Sequence, residues 1–365
     1  MLWFGLAALV LLAWANGAND VSKGVATLAG SRVASYRRAV GWGTLCTAVG
    51  AVASYWLAQT MVHRFSTGFV NGGMSVGPAF GVSIIVGATT WVLLATRFSL
   101  PVSTTHAILG AMCGVGVIAL GTGQMQLAQM GSKMFSPLLL SPLVAGVVTV
   151  GVMFALPATV IAKKFCLCFE KSEVVMMTGP GMAMSLRSRP SAVATVGDCA
   201  AVHEPKLAVG IDVLHWASSG AVCFARAVND VPKILAMGLV LCAAAQVAPI
   251  SQEVLLLFLV AAMTAGSWFG GMGVLRRLGN DVTAIEPAQG FQANLATALL
   301  VLFAANWGLP VSTTHTSTGA IVTSGIMRDR RSVKWSTVRA FAGAWVITLP
   351  ASALFAALAY GLVGR

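Results

Sequence analysis

Two stretches of this chain place charged and amide side chains inside apolar segments. Residues 16–31 read Asn-Gly-Ala-Asn-Asp-Val-Ser-Lys-Gly-Val-Ala-Thr-Leu-Ala-Gly-Ser and follow an uncharged apolar run, Leu2–Ala15. The pattern Asn-Asp-Val-x-Lys at residues 19–23 recurs at residues 229–233, an offset of 210. Charged side chains are costly in apolar segments of membrane length, where they mark functional sites. The duplicated Asn-Asp motif is therefore a candidate site for an ion or a substrate.

The oxygen-bearing side chains of this motif are typical of cation chemistry. Gly17 before the first copy and Pro232 within the second indicate that both helices are unwound here. Unwound carbonyls, together with amide and carboxylate oxygens, are ligands for Na⁺. Aspartate and lysine three residues apart share one helix face, so a self-neutralising ion pair is the structural alternative. The predicted cation ligands are Asn19, Asp20, Asn229, Asp230, Gln292 and Asn294. Lys23 and Lys233 are predicted to balance charge.

A second duplicated motif carries hydroxyl groups. Leu-Pro-Val-Ser-Thr-Thr-His stands at residues 100–106 and again at 309–315, an offset of 209. The proline suits the first turn of a helix, which places the Ser-Thr-Thr run in that opening turn. A helix start presents unpaired N–H groups and partial positive charge, so it binds oxyanions. Simple capping by serine or threonine is the alternative. The predicted anion ligands are Ser103, Thr104, Thr105, Ser312, Thr313 and Thr314, joined by Asp20 and Asp230.

The two aspartates bear on which anion this site takes. A carboxylate repels a fully ionised oxyanion such as sulfate, but it accepts a hydrogen bond from a protonated one. Phosphate is still protonated at neutral pH, whereas sulfate is not. The residues therefore favour phosphate, with sulfate as the alternative. Duplicated serines argue against an enzyme, which needs one nucleophile and one oxyanion hole.

Composition places the chain in a lipid bilayer. Of its 365 residues, 57% are apolar and 9% are charged, against about 25% charged in soluble domains. The net charge of +12 comes from loops between apolar segments, which indicates the positive-inside rule rather than nucleic-acid binding. The seven cysteines include no Cys-x-x-Cys pair and the five histidines form no cluster. No transition-metal site and no cofactor are therefore predicted.

Because the two motif offsets are nearly equal, the chain is predicted to contain an internal repeat. The predicted fold is an all-α polytopic membrane protein with two inverted-topology repeats of about five apolar segments each. An odd number of segments inverts the second copy, an arrangement common in secondary transporters. Broken helices are expected, and 80–120 and 288–327 are each either two spans or a re-entrant hairpin. The predicted units are the first membrane repeat 1–162, the polar linker 163–206 and the second membrane repeat 207–365.

Charge asymmetry predicts the orientation of the chain. With both termini outside and five crossings in each half, most of the 23 basic residues fall in loops on the inner side. This asymmetry predicts that the 163–206 linker is cytoplasmic. The polar composition of the linker around Gly179-Pro180-Gly181 predicts that it is flexible. No targeting segment is recognised, which predicts a plasma membrane or a bacterial inner membrane.

Taken together, the two motifs resemble those of the inorganic phosphate transporter (PiT) family. The resemblance rests on Gly17–Val21, on Val228–Val231, on both Leu-Pro-Val-Ser-Thr-Thr-His copies and on Pro287–Phe291. It implies cation-coupled phosphate uptake, by Na⁺ in some members and by H⁺ in others, with inverted repeats and a site at their interface. Sulfate-transporting relatives carry similar motifs. The second signature departs from the family, since Arg226-Ala-Val stands where Gly-Ala is expected.

The leading hypothesis from the sequence is a secondary symporter that works by alternating access. Phosphate would lie between the two Leu-Pro-Val-Ser-Thr-Thr-His segments at 100–106 and 309–315, here called the hydroxyl turns. The coupling ion, Na⁺ or H⁺, would lie at the Asn-Asp motifs. The expected partners are phosphate, that ion and the lipid bilayer, with no nucleic acid. A homodimer is among the assemblies that the sequence allows. The rival hypothesis is a sulfate permease on the same scaffold.

Overall fold

Long apolar helices form the body of the protein. The structure is a computed structural model, and it describes residues 1–67, 77–161, 165–168, 192–195, 207–246 and 250–364. Within these ranges, eight helices are long and apolar enough to cross a membrane. The helical, membrane-spanning class predicted from composition is confirmed.

Thirteen helices and three short strands account for the secondary structure of the described ranges, apart from single 3₁₀ turns at Thr122–Gln124 and Arg330–Ser332. In chain order they are α1 (Leu2–Gly30), α2 (Tyr36–Leu57), α3 (Gln59–Thr67), α4 (Pro78–Arg97), α5 (Thr104–Ala119), α6 (Leu127–Ala155, with a π-helical stretch at Met130–Phe135), α7 (Ala158–Ile161), β1 (Phe165–Cys168), β2 (Ala192–Thr195), β3 (Leu207–Val209), α8 (Ile211–Ala244), α9 (Gln252–Phe269), α10 (Met272–Asn280), α11 (Pro287–Asn306), α12 (Thr313–Asp329) and α13 (Trp335–Val363).

The element order repeats. Helices α1 to α6 are matched in order and approximate length by α8 to α13, so each half carries its five predicted apolar segments and one further short helix, while α7 follows the first set. The additional helices are α3 and α10, each nine residues long. The apolar run through 39–61 conceals the start of α3, because the chain leaves the α2 helix only at Ala58. α10 is amphipathic, and because one of its faces is polar it does not read as an apolar span in the sequence.

The two halves exchange packing partners. α1 packs along α9 of the other half, and α8 packs in the same way along α2; α5 packs along α13, and α12 along α6. α1 and α8 run antiparallel, because Gly5 lies beside Leu241 whereas Thr27 bonds the ring of His215 at 3.0 Å. An antiparallel pair of equivalent helices is what two inverted repeats require, so it supports the predicted inversion.

Both Asn-Asp motifs lie in continuous helix. α1 runs unbroken through residues 16–31, and α8 runs unbroken through Pro232. The prediction of unwound helices at these motifs is therefore wrong. A proline inside a helix removes one backbone hydrogen bond, and α8 nevertheless continues through Pro232. The breaks predicted within 80–120 and 288–327 are present, at 98–103 between α4 and α5 and at 307–312 between α11 and α12.

A small sheet joins the two membrane repeats. Its strand order is β2-β1-β3, and both pairings are antiparallel, with Phe165 opposite Thr195 on one side and Val209 on the other. The remainder of the 163–206 linker, including its expected flexibility, lies outside the described residues. The boundaries of the three predicted units stay a prediction.

Candidate functional site

Each half ends one helix abruptly before its hydroxyl turn. Ser99 and Gly308 follow α4 and α11 and adopt left-handed backbone, with φ of 55° and 65°. The Leu100 N–H then reaches back to the Ala95 carbonyl at 2.9 Å, and the equivalent bond in the second half is 2.8 Å long. This is the Schellman arrangement, which ends a helix and satisfies its last carbonyls. The chain leaves it as an extended segment that carries the proline.

The hydroxyl turns start α5 and α12, with Ser103 and Ser312 as N-cap residues. Each serine hydroxyl accepts the backbone N–H of the histidine three residues later, His106 or His315, at 3.2 Å. The prolines lie before the cap, so the prediction that they occupy the first helical turn is wrong. Serine takes the cap because its hydroxyl satisfies an N–H that the helix leaves unpaired. The capping alternative therefore holds for both serines.

The two hydroxyl turns meet at the interface between the halves. Thr314 Oγ1 donates to the Val102 carbonyl of the other turn at 2.8 Å. The rings of His106 and His315 lie against each other with centroids 4.5 Å apart. Thr313 Oγ1 is buried and has no hydrogen-bond partner among the described residues. The structure thus brings together the two Ser-Thr-Thr runs that the sequence singles out.

The asparagines of the Asn-Asp motifs hold the hydroxyl turns in place. Asn19 Nδ2 donates to the Leu100 carbonyl at 3.0 Å, and its Oδ1 accepts the Val102 N–H at 3.2 Å. In the second half, Asn229 Nδ2 donates to the Val311 carbonyl at 3.2 Å. Each asparagine therefore replaces hydrogen bonds that the extended backbone lacks, and it fixes one turn on one helix.

The ion pairs predicted from the three-residue spacing are present. Lys23 pairs with Asp20, and Lys233 Nζ lies 3.3 Å from Asp230 Oδ1. All four side chains are buried. A buried ion pair is stable only when further hydrogen bonds satisfy its remaining donors and acceptors. Both lysines also contact oxygens of the hydroxyl turns, so the pairs belong to one polar centre.

Asn16 links the two aspartates, and it is not among the site residues predicted from the sequence. Its amide nitrogen lies 3.2 Å from Asp20 Oδ2, 3.2 Å from Asp230 Oδ2 and 3.0 Å from Thr104 Oγ1. One side chain of α1 thus touches the carboxylates of both halves and a hydroxyl turn. The two carboxylates consequently share one centre rather than two separate sites.

Arg226 completes this centre from the second half. It is fully buried, and its guanidinium donates to Asn16 Oδ1 at 3.2 Å and to Thr47 and Ser267 at 2.9 Å each. None of these three acceptors is charged. The signal for this residue in the sequence was an arginine inside the apolar α8, at the position equivalent to Asn16. With Lys23 and Lys233 it makes three buried cations against two buried carboxylates, a surplus that suits an anion.

Gln292 and Asn294 lie elsewhere. Both are buried on α11, where Gln292 Nε2 donates to the Leu156 carbonyl at the end of α6 at 2.6 Å. Asn294 Nδ2 has no hydrogen-bond partner among the described residues. Within the described part of the chain, no hydrogen bond connects either residue to the Asn-Asp motifs. Their predicted role as cation ligands therefore remains a prediction.

The polar centre is closed to solvent. Asp20 is 2% exposed, Asp230 4% and Thr104 3%. Among the residues that the structure describes, no three His, Cys, Asp or Glu side chains gather as a metal cluster would require. What the centre offers instead is hydroxyls, helix starts and excess positive charge around two carboxylates. This combination suits a protonated oxyanion.

Comparison with known proteins agrees with this chemistry. A model of the phosphate transporter family matches residues 16–356. The chain belongs to the phosphate transporter family. It is 29% identical to a probable low-affinity inorganic phosphate transporter of Rhizobium meliloti, over 98% of this chain and 95% of that protein. It is 26% identical to a putative phosphate permease of Pyrococcus abyssi, over 96% and 95% of the two chains.

The fold of this family member also matches a solved structure. A protein described as the sodium-dependent phosphate transporter aligns with a TM-score of 0.77 and 21% identity, covering 100% of this chain and 98% of that one. At this identity the likeness shows the fold alone. The family and these relatives are transporters rather than enzymes, and they do not support the alternative of a sulfate permease. The chain is an integral membrane protein of a phosphate-transporting family.

Proposed function

We propose that this protein is a secondary symporter that moves inorganic phosphate across a membrane by alternating access, driven by a Na⁺ or H⁺ gradient. The observation that carries the proposal is the meeting of two duplicated hydroxyl turns in one buried, positively charged centre. Family membership supports phosphate as the substrate. The coupling and the transport cycle are inferred from the geometry and charge of the site.

Phosphate would be bound chiefly by the starts of α5 and α12. The first N–H groups of each helix have no intrahelical partner, and the helix dipole adds positive charge there. Thr313 Oγ1 is a buried hydroxyl with no hydrogen-bond partner in the described part of the chain, so its O–H group is available to donate a hydrogen bond. Ser103 and Ser312 accept hydrogen bonds as caps and keep their own O–H groups for donation. These groups recognise an oxyanion by hydrogen bonding.

The aspartates favour phosphate over sulfate. Asp20 and Asp230 both lie on the amide of Asn16, in the same centre as the hydroxyl turns. A carboxylate there accepts a hydrogen bond from the protonated oxygen of phosphate, but it meets only negative oxygens on sulfate. The site therefore discriminates by the proton that phosphate retains at neutral pH.

Alternating access follows from the exchanged packing of the halves. The centre is built from both halves, and it is sealed from solvent as the structure stands. The equivalent helices of the two halves run antiparallel. When the helices of one half rock against those of the other, the centre opens first to one side of the membrane and then to the other. Both termini outside and a cytoplasmic 163–206 linker are the orientation we propose, in a plasma membrane or a bacterial inner membrane.

Removing one hydroxyl of the second turn tests the proposed phosphate site. Thr313→Val keeps the side-chain volume and deletes the donor. We expect initial rates of radiolabelled phosphate uptake into proteoliposomes to fall about 10- to 150-fold, because a hydrogen bond to a charged group is worth about 1.5–3 kcal/mol. The control is Thr149→Val, since Thr149 is as deeply buried but bonds the Ala145 carbonyl of its own helix at 2.7 Å.

Four outcomes decide the proposal. Accumulation of phosphate above its external concentration under an imposed Na⁺ or H⁺ gradient supports symport. Equal uptake by the Thr313→Val and Thr149→Val proteins contradicts the assigned site. Uptake that excess sulfate abolishes would favour the sulfate permease, and phosphate that never enters would remove the substrate assignment.

A further inference from the structure

Each buried lysine of the site sits where a coupling cation was expected. Lys23 Nζ contacts Asn19 Oδ1 at 3.0 Å, the Val102 carbonyl at 2.9 Å and Asp20 Oδ1. A lysine ammonium has three N–H donors and no acceptor. All three donors of Lys23 therefore have an oxygen partner, and these oxygens include two of the predicted cation ligands.

Lys233 repeats the arrangement in the second half. Its Nζ contacts Thr105 Oγ1 at 2.7 Å, Asp230 Oδ1 at 3.3 Å and the Val311 carbonyl at 3.3 Å. Val311 is equivalent to Val102, and Asp230 is equivalent to Asp20. Each ammonium group therefore contacts a carboxylate on its own helix and a backbone carbonyl of a hydroxyl turn. Both lysines are at most 1% exposed.

The residues present do not fit Na⁺ at these positions. Transporter sites for Na⁺ use carbonyls released by unwound helices, but α1 and α8 are continuous through both motifs. Among the carbonyls of the extended turns, those of Val102 and Val311 each already accept a lysine ammonium, and that of Leu100 accepts the Asn19 amide. Asn229 Oδ1 remains without a partner among the described residues, and a single amide oxygen does not make a cation site.

Charge leads to the same conclusion. Asp20 and Asp230 are each paired with a lysine, and Arg226 adds a further buried cation that has no carboxylate partner among the described residues. Another cation at the motifs would add to this surplus in an environment that water does not screen. Binding of phosphate neutralises the surplus positive charge without any additional cation.

We propose that the ammonium groups of Lys23 and Lys233 permanently occupy the cation positions of the site, so that phosphate transport by this protein does not depend on Na⁺. The inference rests on the proposed function and chooses between its two coupling ions. The tethered ammonium groups hold the hydroxyl turns against α1 and α8, the task that bound Na⁺ would otherwise perform.

Phosphate exchange tests the inference without any gradient. Proteoliposomes loaded with unlabelled phosphate take up radiolabelled phosphate by counterflow, with either NaCl or choline chloride on both sides. We expect equal exchange rates in the two salts. Exchange that requires Na⁺ would overturn the inference while leaving phosphate transport established. Absence of exchange in both salts would instead count against the proposed function.

Thermal stability gives a second readout that does not need transport. A ligand that binds the folded protein raises its melting temperature, so the wild-type protein is expected to melt at the same temperature in NaCl and in choline chloride. A rise specific to Na⁺ would overturn the inference even if no phosphate exchange were observed.

Replacing a lysine should create the Na⁺ dependence that the wild-type protein lacks. In Lys23→Met the oxygens of Asp20, Asn19 and Val102 lose their cation, and Na⁺ is expected to stimulate phosphate exchange by at least about 5-fold, the lower end of the usual range for coupled ligands. The control Lys334→Met removes a lysine that is 57% exposed and should stay indifferent to Na⁺. Equal exchange by Lys23→Met in both salts would contradict the assigned role, and the wild-type measurements stand if this variant misfolds.

Discussion

Asn16 is the residue on which the two halves of the site converge. Its amide donates towards both carboxylates and its carbonyl oxygen accepts from Arg226, so an amide is required rather than an acid. A carboxylate in the same place would keep the arginine contact but would face two like charges. This one neutral side chain therefore bridges Asp20 and Asp230 without adding a third negative charge.

Asn16→Asp is predicted to weaken phosphate binding while leaving the side-chain shape unchanged. Like charges placed together cost several kcal/mol and each ~1.4 kcal/mol is tenfold, so we expect at least about a 10-fold loss of affinity. Equilibrium binding of radiolabelled phosphate to the purified protein measures this. Asn280→Asp makes the same change of charge on an exposed residue and should bind as the wild-type does; equal affinity of both variants would refute the assigned role.

Duplication decided which site residues the sequence could reveal. The serines, threonines, aspartates and lysines occur in both halves, and the structure brings them into one centre. Asn16 and Arg226 occupy equivalent positions but are different residues, so a search for repeated residues passes over them. They carry the asymmetry of the site, and only the fold shows that they bond each other.

At the scale of helices, the sequence predicted two sets of breaks, and only those between α4 and α5 and between α11 and α12 are present. Gly17 and Pro232 suggested unwinding in α1 and α8, but Gly17 serves close packing, since a Cβ there would meet the Met263 carbonyl of α9. The side chains of the Asn-Asp motifs bond the neighbouring turns rather than their own backbone. The positions of apolar segments were foreseeable from hydropathy, whereas the purpose of a glycine depends on which helix lies against it.

The close crossing of α1 and α9 is predicted to be essential to stability. A Cβ added at Gly266 would meet the Trp14 carbonyl, so Gly266→Ala must push the two helices apart. Overpacking of this kind costs about 1–3 kcal/mol, and we expect a lower melting temperature together with weaker phosphate exchange. Gly343→Ala is the matched control, because a Cβ there has nothing within 4 Å. A Gly266→Ala protein as stable as Gly343→Ala would show that this crossing tolerates a wider spacing.

For the whole molecule, the exchange of packing partners explains why one centre serves two repeats. α1 packs along α9 and α8 along α2, in addition to helices of their own halves, so neither half alone encloses its Asn-Asp motif. The hydroxyl turns likewise lie on helices packed against the last helix of the opposite half. Movement of one half relative to the other therefore changes the surroundings of both motifs together, as a single transport site requires.

Equivalent positions in the two repeats are predicted to face opposite sides of the membrane. Thr122 and Arg330 begin the 3₁₀ turns that precede α6 and α13, and both are exposed. In a variant without native cysteines, we expect Thr122→Cys in intact cells to react with a membrane-impermeant thiol reagent, and Arg330→Cys only after permeabilisation. Antiparallel α1 and α8 and the positive-inside rule both lead to this result. Labelling of both positions from one side would mean that the repeats are parallel, and rocking about a shared centre would then fail as the route of alternating access.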